Sequence, residues 1–152
     1  MKLAVGSDHA GFALKRKVVE KLRFWNHEVT DVGTHSTDPV DFPDITEAVC
    51  GHVMSGAADK GILVCGTGVG AAIAANKFPG IRAAVCHDIF SAHQCVEHDD
   101  VNVLCLGAWI IGEMLAYDLV RAFLDARHDS NEAFRRRLEK VKVIEQRFRG
   151  AQ

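Results

Sequence analysis

The sequence predicts an α/β protein of the Rossmann-like, three-layer type: a five-stranded parallel sheet with helices on both faces and an extra C-terminal helix. Short β-rich runs alternate with stretches of helical periodicity along the chain, which is the rhythm of consecutive βαβ units joined by right-handed crossovers. Several β-rich runs are almost entirely apolar, as expected for strands that helices cover on both faces. No internal repeat or low-complexity tract interrupts this order.

Five short runs have the composition of buried strands. The first begins almost at the N-terminus, and the third leads directly into a glycine-rich turn. The predicted strands are Leu3–Gly6, Glu28–Val32, Gly61–Val64, Arg82–Cys86 and Val103–Leu106. Because a helical stretch follows each of them, we expect all five to run parallel.

Helical periodicity fills the intervals between these strands. In residues 11–25, Leu14, Val18 and Leu22 form one apolar stripe at helical spacing. Pro43 suits the first turn of the next helix, and the third helical stretch is rich in alanine. The predicted helices cover residues 11–25, 43–57, 69–77, 89–97, 110–127 and 131–148.

The last predicted helix, residues 131–148, has no strand after it. Its apolar stripe consists of Phe134, Leu138, Val141, Ile144 and Phe148. Such a face can pack across a subunit boundary, or it can cover the sheet of its own chain, and the sequence leaves both arrangements open. We expect this helix at a dimer interface, as part of a single domain that covers residues 1–152.

Length and composition are those of an ordinary globular protein. The chain has 152 residues, 48% of them hydrophobic and 25% charged, with a formal net charge of −2, and this mildly acidic balance argues against nucleic acid as a partner. No apolar run is long enough for a membrane-spanning helix. The N-terminal sequence lacks the apolar core of a secretion signal. We therefore expect a cytoplasmic protein with no nucleic-acid or membrane partner.

The cysteines do not form a disulfide or zinc pattern. Their number is odd, and no Cys-x-x-Cys pair occurs among positions 50, 65, 86, 95 and 105. Free cysteines most often serve as small buried apolar residues, and this is our interpretation of those within apolar runs. Since no side chains have the spacing of metal ligands, we expect no metal.

Polar side chains follow the predicted strands at the points where the strands end. Asp8 and His9 follow the first strand, and Cys65 follows the third. Because ligands of open parallel sheets bind outside the carboxyl ends of the strands, these residues predict a site at that edge. The segment EHDDVN, with His98 and Asp99, leads into the fifth strand, and we expect it at the same edge.

The glycine-rich turn CGTGVG, residues 65–70, has two interpretations. Gly66-x-Gly68-x-x-Ala71 matches the dinucleotide-binding fingerprint, and Asp88 stands near the expected spacing for a ribose-binding acid. This fingerprint usually belongs to the first βαβ unit, whereas here it lies in the third. In the second interpretation, the turn and the helix N-terminus form a nest of N–H groups for a small anion, including a developing oxyanion.

Cys65 stands at the mouth of this turn. A thiol beside a helix N-terminus has its thiolate form stabilised, so it can attack a carbon or remove a proton. Thr67 adds a hydroxyl group within the same turn. The alternative interpretation is that Cys65 is an inert apolar residue at the end of the strand. A thiol redox protein is a further one, which the missing Cys-x-x-Cys partner disfavours.

Five stretches together resemble one known family. They are SDHAGF (7–12), DFPD (41–44), GILVCGTGVGAAIAANKFPGIRAA (61–84), EHDD (97–100) and NVLCLG (102–107). In order and spacing, over essentially the whole chain, they are similar to the type B ribose-5-phosphate isomerases. Those enzymes belong with the sugar-phosphate isomerases that include the galactose-6-phosphate isomerase subunits. The CGTGVG-x3-AANK stretch is far more specific than the GxGxxA pattern inside it.

The resemblance implies a cofactor-free aldose–ketose isomerase that works as a homodimer or homotetramer with sites shared between subunits. Cys65 matches the base that moves a proton between C1 and C2, and Thr67 matches a residue that hydrogen-bonds the reacting oxygens. His98, from the neighbouring subunit, matches the residue that opens the furanose ring. The substrate-binding positions of the family correspond to Asp8, His9, Gly66, Gly68, Val69, Gly70, Asp99 and Arg137.

Four positions depart from the family pattern. The chain has Asp99 where members usually carry Asn, Trp109 and Ala133 where they usually carry Arg, and Phe42 in place of the tyrosine of DYPD. We expect all four positions to contact the substrate. The loss of two cations should weaken or relocate phosphate binding, because Arg–phosphate pairs are strong and geometrically demanding.

The leading hypothesis is therefore the interconversion of ribose 5-phosphate and ribulose 5-phosphate through an enediolate. An alternative within the class is another phosphosugar: a tetrulose 4-phosphate, or a hexose 6-phosphate such as galactose 6-phosphate or allose 6-phosphate. The alternative from another class is a nucleotide-binding module without chemistry. Because the base and the loop are intact, the reaction type is better supported than the identity of the sugar.

Overall fold

The computed structural model describes residues 1–149 and contains a five-stranded parallel sheet. The strands are β1 (Lys2–Ser7), β2 (Glu28–Asp31), β3 (Lys60–Cys65), β4 (Ala83–Val85) and β5 (Val103–Gly107). They lie in the order β2-β1-β3-β5-β4, and every neighbouring pair is parallel. The predicted fold class is confirmed, and the predicted strands differ from the observed ones only at their ends.

Six helices connect and follow the strands within the described residues. They are α1 (Phe12–Phe24), α2 (Phe42–Met54), α3 (Val69–Ala75), α4 (Ile89–Asp99), α5 (Glu113–Asp125) and α6 (Glu132–Arg149). The largest differences from prediction, three residues each, are the end of α2, expected at residue 57, and the start of α5, expected at residue 110. A tight turn precedes this helix instead, because the N–H groups of Ile110 and Ile111 both donate to the carbonyl oxygen of Gly107.

The helices cover the sheet on both faces and so make three layers. Side chains alternate along each strand, and Leu3 and Val5 of β1 therefore pack with α1, α4 and α5, whereas Ala4 packs with α2 and α3. Residues 61–65 of β3 are all buried. This two-sided cover explains why the β3 sequence is an unbroken apolar run.

An ion pair between a buried lysine and a half-buried aspartate anchors the loop between β2 and α2. Lys15 has no exposed surface, and its Nζ atom lies 2.7 Å from both carboxylate oxygens of Asp31. Asp31 also accepts a hydrogen bond from the N–H of Gly33 at 3.0 Å. The carbonyl oxygen of Gly33 in turn accepts from Ser7 at the end of β1. The loop is thereby held against the carboxyl edge of the sheet.

The final helix, α6, packs against α4 through only part of its apolar stripe. Leu138 is buried, but Val141, Ile144 and Phe148 are exposed. This exposed face is compatible with the expected subunit contact, which stays a prediction, as does the single domain. Residues 150–152 of that domain lie outside the described residues. Among residues 1–149, none of the helices combines the length and apolar character needed to cross a bilayer.

Candidate active site

The carboxyl ends of β1 and β3 meet where the strand order reverses. From β1 the chain moves to β2 on one side and later to β3 on the other, and such a switch point opens a crevice in which ligands bind. Asp8 follows β1 directly, and Cys65 is the last residue of β3. The structure therefore brings these two sequence-predicted residues to the same crevice.

The thiol of Cys65 is held by the glycine turn that follows it. Its Sγ atom accepts a hydrogen bond from the backbone N–H of Gly68 at 3.2 Å, and the residue is only 7% exposed. Gly68 has a φ of +81°, a left-handed conformation that disfavours any side chain. The N–H donor is directed at the sulfur and can stabilise negative charge that develops on it. The turn thus suits a sulfur that carries negative charge.

The loop offers further hydrogen-bonding groups beside this sulfur. Thr67 is exposed, and its Oγ1 atom accepts from the N–H of Val69 at 3.4 Å. The helix α3 begins at Val69, and the first N–H groups of a helix have no partner within it. The backbone N–H groups of Val69 and Gly70 belong to this first turn. A small anion at the mouth of the loop would meet them, together with the hydroxyl of Thr67.

Asp8 and His9 occupy the β1 side of the crevice. Asp8 is buried, and its Oδ1 atom accepts from the N–H of Gly11 at 2.9 Å, which fixes its carboxylate. His9 is exposed, and its Nδ1 atom accepts from the N–H of Val40 at 3.3 Å. Val40 lies in the anchored loop between β2 and α2. This contact with His9 was not apparent from the sequence, because it joins segments that are distant along the chain.

Two aromatic rings lie against the glycine loop. A methyl group placed on Gly66 would lie 2.8 Å from Cζ3 of Trp109, and one placed on Gly70 would lie 3.0 Å from Cζ of Phe42. A side chain at Gly66 would displace the Trp109 ring, and one at Gly70 would move the Phe42 ring by a few tenths of an ångström. The two departures from the family pattern at Phe42 and Trp109 thus both border the loop.

Asp88 serves a structural purpose that the dinucleotide interpretation did not foresee. It is the N-cap of α4, and its Oδ1 atom accepts from the N–H of Ser91 at 2.7 Å. This N–H group holds the pKa of the Asp88 carboxyl below its usual range. The neighbouring His87 accepts at Nε2 from the N–H of Gly107 at 3.0 Å, which fixes the end of β5. In the sequence, the signal for these contacts is only that His87 and Asp88 come shortly after β4.

The structure places His98 and Asp99 at the other edge of the sheet, contrary to the expectation that EHDDVN joins the carboxyl edge. The helix α4 begins near the carboxyl end of β4 and runs antiparallel to the strands, so its last residues reach the amino ends. Asn102, just beyond it, accepts at its carbonyl oxygen from the N–H of Gly61. Gly61 and Cys65 are four residues apart along β3, about 13 Å at 3.3 Å per residue.

Arg137 joins this second group of residues. The ring of His98 stacks on that of Phe134 of α6, with centroids 3.9 Å apart, and its Nδ1 atom lies 2.7 Å from Nε2 of Gln94. The guanidinium of Arg137 lies 5.9 Å from the Phe134 ring centroid. Asp99 and Arg137 both line a cavity of about 240 Å³. One chain thus carries two groups of predicted site residues, at opposite edges of its sheet.

The described residues, 1–149, include no cluster of three His, Cys, Asp or Glu side chains that could hold a metal ion. The groups that remain for chemistry at the switch point are a thiol, a hydroxyl, backbone N–H groups, a carboxylate and an imidazole. This set can move protons and stabilise a developing negative charge on oxygen.

Comparison with known proteins identifies the class. A solved structure of Clostridium thermocellum ribose-5-phosphate isomerase B superposes with a TM-score of 0.95 at 44% identity, covering 97% of this chain and 99% of that chain. Escherichia coli ribose-5-phosphate isomerase B is 44% identical over 146 residues, which are 96% of this chain and 97% of the relative. A 4-deoxy-4-sulfo-D-erythrose isomerase from a Clostridium species is 38% identical over 132 residues, 86% of this chain and 83% of the relative.

The fold and the site therefore define this protein as an isomerase of the Rossmann-like α/β type. Residues 3–141 match the family described as Ribose/Galactose Isomerase. The chain belongs to this family, as the resemblance of its motifs implied.

Proposed function

We propose that this isomerase interconverts ribose 5-phosphate and ribulose 5-phosphate, with Cys65 as the base that transfers the proton. The observation that carries the proposal is the sulfur of Cys65, nearly buried at the switch point and bonded to a loop N–H group. The relatives named as ribose-5-phosphate isomerases, which share this fold over nearly the whole chain, support the choice of sugar.

The proposed reaction is a proton transfer between two carbons. The Cys65 thiolate removes the proton from C2 of the open-chain aldose, and the electron pair of that C–H bond forms the C1–C2 double bond of an enediolate. The thiol then returns the proton to C1, while a proton passes from the oxygen on C2 to the oxygen on C1. The hydroxyl of Thr67 and the loop N–H groups from Gly66 to Gly70 stabilise the charge that develops on these oxygens.

Asp8 and His9 bind the sugar hydroxyls and the phosphate from the β1 side. Both are already oriented, since Asp8 is held by Gly11 and His9 by Val40. Such pre-oriented groups lose little freedom when a substrate binds.

We further propose that the working unit is a homodimer, or a homotetramer built from such dimers, in which each active site combines residues from two chains. His98, Asp99 and Arg137 lie at the opposite edge of the sheet from Cys65, so one chain does not bring them to its own thiol. A two-fold axis would place the Cys65 end of one chain opposite the His98, Asp99 and Arg137 group of the second chain, and the reverse. In this arrangement His98 opens the furanose ring, and Asp99 and Arg137 bind the substrate.

The test of the shared site is a mixed dimer. Chains with Cys65→Ala and chains with His98→Ala are co-expressed with different tags, and dimers that carry both tags are purified. With shared sites, one site of each mixed dimer is intact and the other has both substitutions, so we expect about half of the wild-type activity. Sites formed within one chain would all be defective, and the mixed dimer would then be as inactive as either parent.

The test of the reaction is proton exchange. The purified protein is incubated in D₂O with erythrose 4-phosphate, ribose 5-phosphate and allose 6-phosphate, and NMR follows the C2 proton of each sugar. We expect loss of the C2 signal of ribose 5-phosphate together with formation of ribulose 5-phosphate. Retention of the C2 proton in all three sugars would contradict the proposed function.

A second candidate is a different phosphosugar, of four or six carbons. It is favoured by the Trp109 ring, which lies against the loop where the resemblance led us to expect an arginine, and by the relative that isomerises a four-carbon sulfosugar. The same panel of sugars decides between the candidates by their values of kcat/KM. Binding of a dinucleotide is disfavoured, since Asp88 already caps α4.

We infer a cytoplasmic location, which the five free cysteines support. Thiols that remain unpaired are typical of reducing compartments. Fractionation of cells that express the protein, followed by detection of the chain, tests this inference.

A further inference from the structure

The two rings that border the glycine loop leave part of their surface available to a ligand. Trp109 is 74% exposed and Phe42 is 37% exposed. Trp109 is also tied to the loop by its backbone, because its N–H donates to the carbonyl oxygen of Gly66 at 3.0 Å. The backbone of Trp109 therefore has a fixed place beside the residue that follows Cys65, and its ring lies against that residue.

Neither ring is needed to fill the core. The two core clusters formed by the described residues contain other side chains, with neither Phe42 nor Trp109 among them. Large aromatic side chains that leave much of their surface in water at the mouth of a polar crevice are typical of ligand-binding surfaces. What they offer a ligand is apolar area and a π face, since an indole carries one N–H donor and no charge.

A phosphosugar has a complementary surface. The π face is electronegative and accepts the weakly positive hydrogens of C–H groups. In open-chain ribose 5-phosphate the C–H bonds at C3 and C4 lie on the same side of the curved chain, whereas in xylose 5-phosphate they lie on opposite sides. An uncharged ring that faces the substrate next to Gly66 can therefore distinguish the two sugars without touching the phosphate.

We propose that Trp109 and Phe42 are specificity-determining residues of this isomerase: Trp109 packs on the C–H face at C3 and C4 of the open-chain substrate, beside the C2 hydrogen that faces Cys65, and Phe42 limits the site at the Gly70 end of the loop. This assignment rests on the proposed function. It makes the preferred substrate a phosphosugar with adjacent C–H bonds on one side. It also places the phosphate away from the end of β5, toward the side of Asp8 and His9.

The test measures binding of the sugar to a variant that cannot isomerise it. The protein has two tryptophans, so Trp25→Phe combined with Cys65→Ala leaves Trp109 as the only indole emitter. Trp25 packs elsewhere, with the guanidinium of Arg121 4.5 Å from its ring centroid. Ribose 5-phosphate should cause a saturable change of the Trp109 emission, and inorganic phosphate, which has no C–H face, should bind without it. Calorimetric binding of ribose 5-phosphate without any emission change would overturn the assignment.

Selectivity is measured in Cys65→Ala chains that also carry Trp109→Ala or Trp109→Phe. Trp109→Ala should reduce the ratio of the xylose 5-phosphate Kd to the ribose 5-phosphate Kd by about tenfold, which is 1.4 kcal/mol. Trp109→Phe keeps a ring and should retain most of that ratio. A ratio unchanged in both variants, with circular dichroism showing folded protein, would overturn the proposal. Absence of isomerisation by the wild-type chain would instead overturn the proposed function, so the two failures are distinguishable.

Discussion

The backbone N–H of Gly68 lies 3.2 Å from the sulfur of Cys65. This contact joins the last residue of β3 to the residue before α3, across a turn that needs a left-handed backbone at Gly68. It explains why a cysteine stands in a glycine-rich loop. The loop provides a donor to the sulfur and leads into α3, whose first-turn N–H groups can meet a ligand.

Replacement of Cys65 should remove isomerisation and preserve the fold. We expect kcat to fall by about 10²–10⁴-fold in Cys65→Ala, the usual contribution of a general base. Cys65→Ser should lose a similar amount, because a hydroxyl group is a much weaker base than a thiolate. Stopped assays of ribulose 5-phosphate formation measure the loss. The matched control is Cys50→Ala, a buried cysteine of α2, which should retain activity. Near-normal activity in Cys65→Ser would count against Cys65 as the base.

Gly68→Ala should destabilise the protein and impair catalysis together. Its backbone is left-handed, and the new methyl group would lie 3.2 Å from the carbonyl carbon of Leu106. The conformation alone costs a non-glycine residue about 1–2 kcal/mol. Urea denaturation and kcat measure the two effects. Gly51→Ala in α2 is the control, since its methyl group would meet nothing within 4 Å, and it should stabilise by about 0.5–1 kcal/mol. Equal stabilities of the two variants would contradict the conformational argument.

The buried pair of Lys15 and Asp31 should be far more sensitive than a surface pair. Asp31→Asn leaves the ammonium of Lys15 buried without a counter-charge, and we expect a loss of about 3–5 kcal/mol in the free energy of unfolding. Glu139→Gln, which removes an exposed pair with Lys142, should change it by less than about 1 kcal/mol. Chemical denaturation compares the two. A loss in Asp31→Asn no larger than that in Glu139→Gln would show that water reaches Lys15 in solution.

Lys60 should make stability depend on pH in the alkaline range. Burial, followed by the nearby charge of Arg127, lowers its pKa from 10.5 to about 8. The unfolded chain therefore binds more protons than the folded chain between pH 8 and 10.5, and this residue's contribution to stability rises with pH across that window. The difference in unfolding free energy between wild type and Lys60→Met should change in favour of the wild type from pH 8 to 10.5. A difference independent of pH would contradict the lowered pKa.

His98→Ala should affect the two directions of the reaction unequally. Ribose 5-phosphate exists mainly as a furanose that must open, whereas ribulose 5-phosphate is open-chain because its O5 is esterified. If His98 opens the ring as proposed, its loss should slow the forward reaction by about 100-fold and the initial reverse rate much less. His93→Ala, an exposed histidine on the same helix, serves as the control. Equal losses in both directions would contradict the ring-opening role.

Much of the architecture could be predicted because it depends on local patterns. The apolar run before Cys65 is what a doubly covered strand requires, and Gly68 after it is what the left-handed turn requires. The expected position of His98 was wrong, and the reason applies to any parallel sheet. A segment that leads into a parallel strand lies at its amino end, and the length of α4 takes His98 there. The place of the EHDDVN segment directly before β5 already indicates the amino edge of the sheet.

Other parts of the site depend on tertiary contacts without any periodic signal. The packing of Trp109 against Gly66, the contact of Val40 with His9, and the stacking of His98 on Phe134 each join separate segments of the chain. Sequence reasoning identified Phe42 and Trp109 as departures from the family pattern. Only the structure shows that both rings border the same loop.

The helix α4 connects the two edges of the sheet over eleven residues, about 16 Å at 1.5 Å per residue. The number of residues in α4 is therefore constrained during evolution of the sequence. Insertion of one residue within α4 would turn His98 by about 100° around the helix axis and separate its ring from Phe134. Length changes that are harmless in the surface loops should thus be eliminated by selection in this helix, whatever residue is inserted.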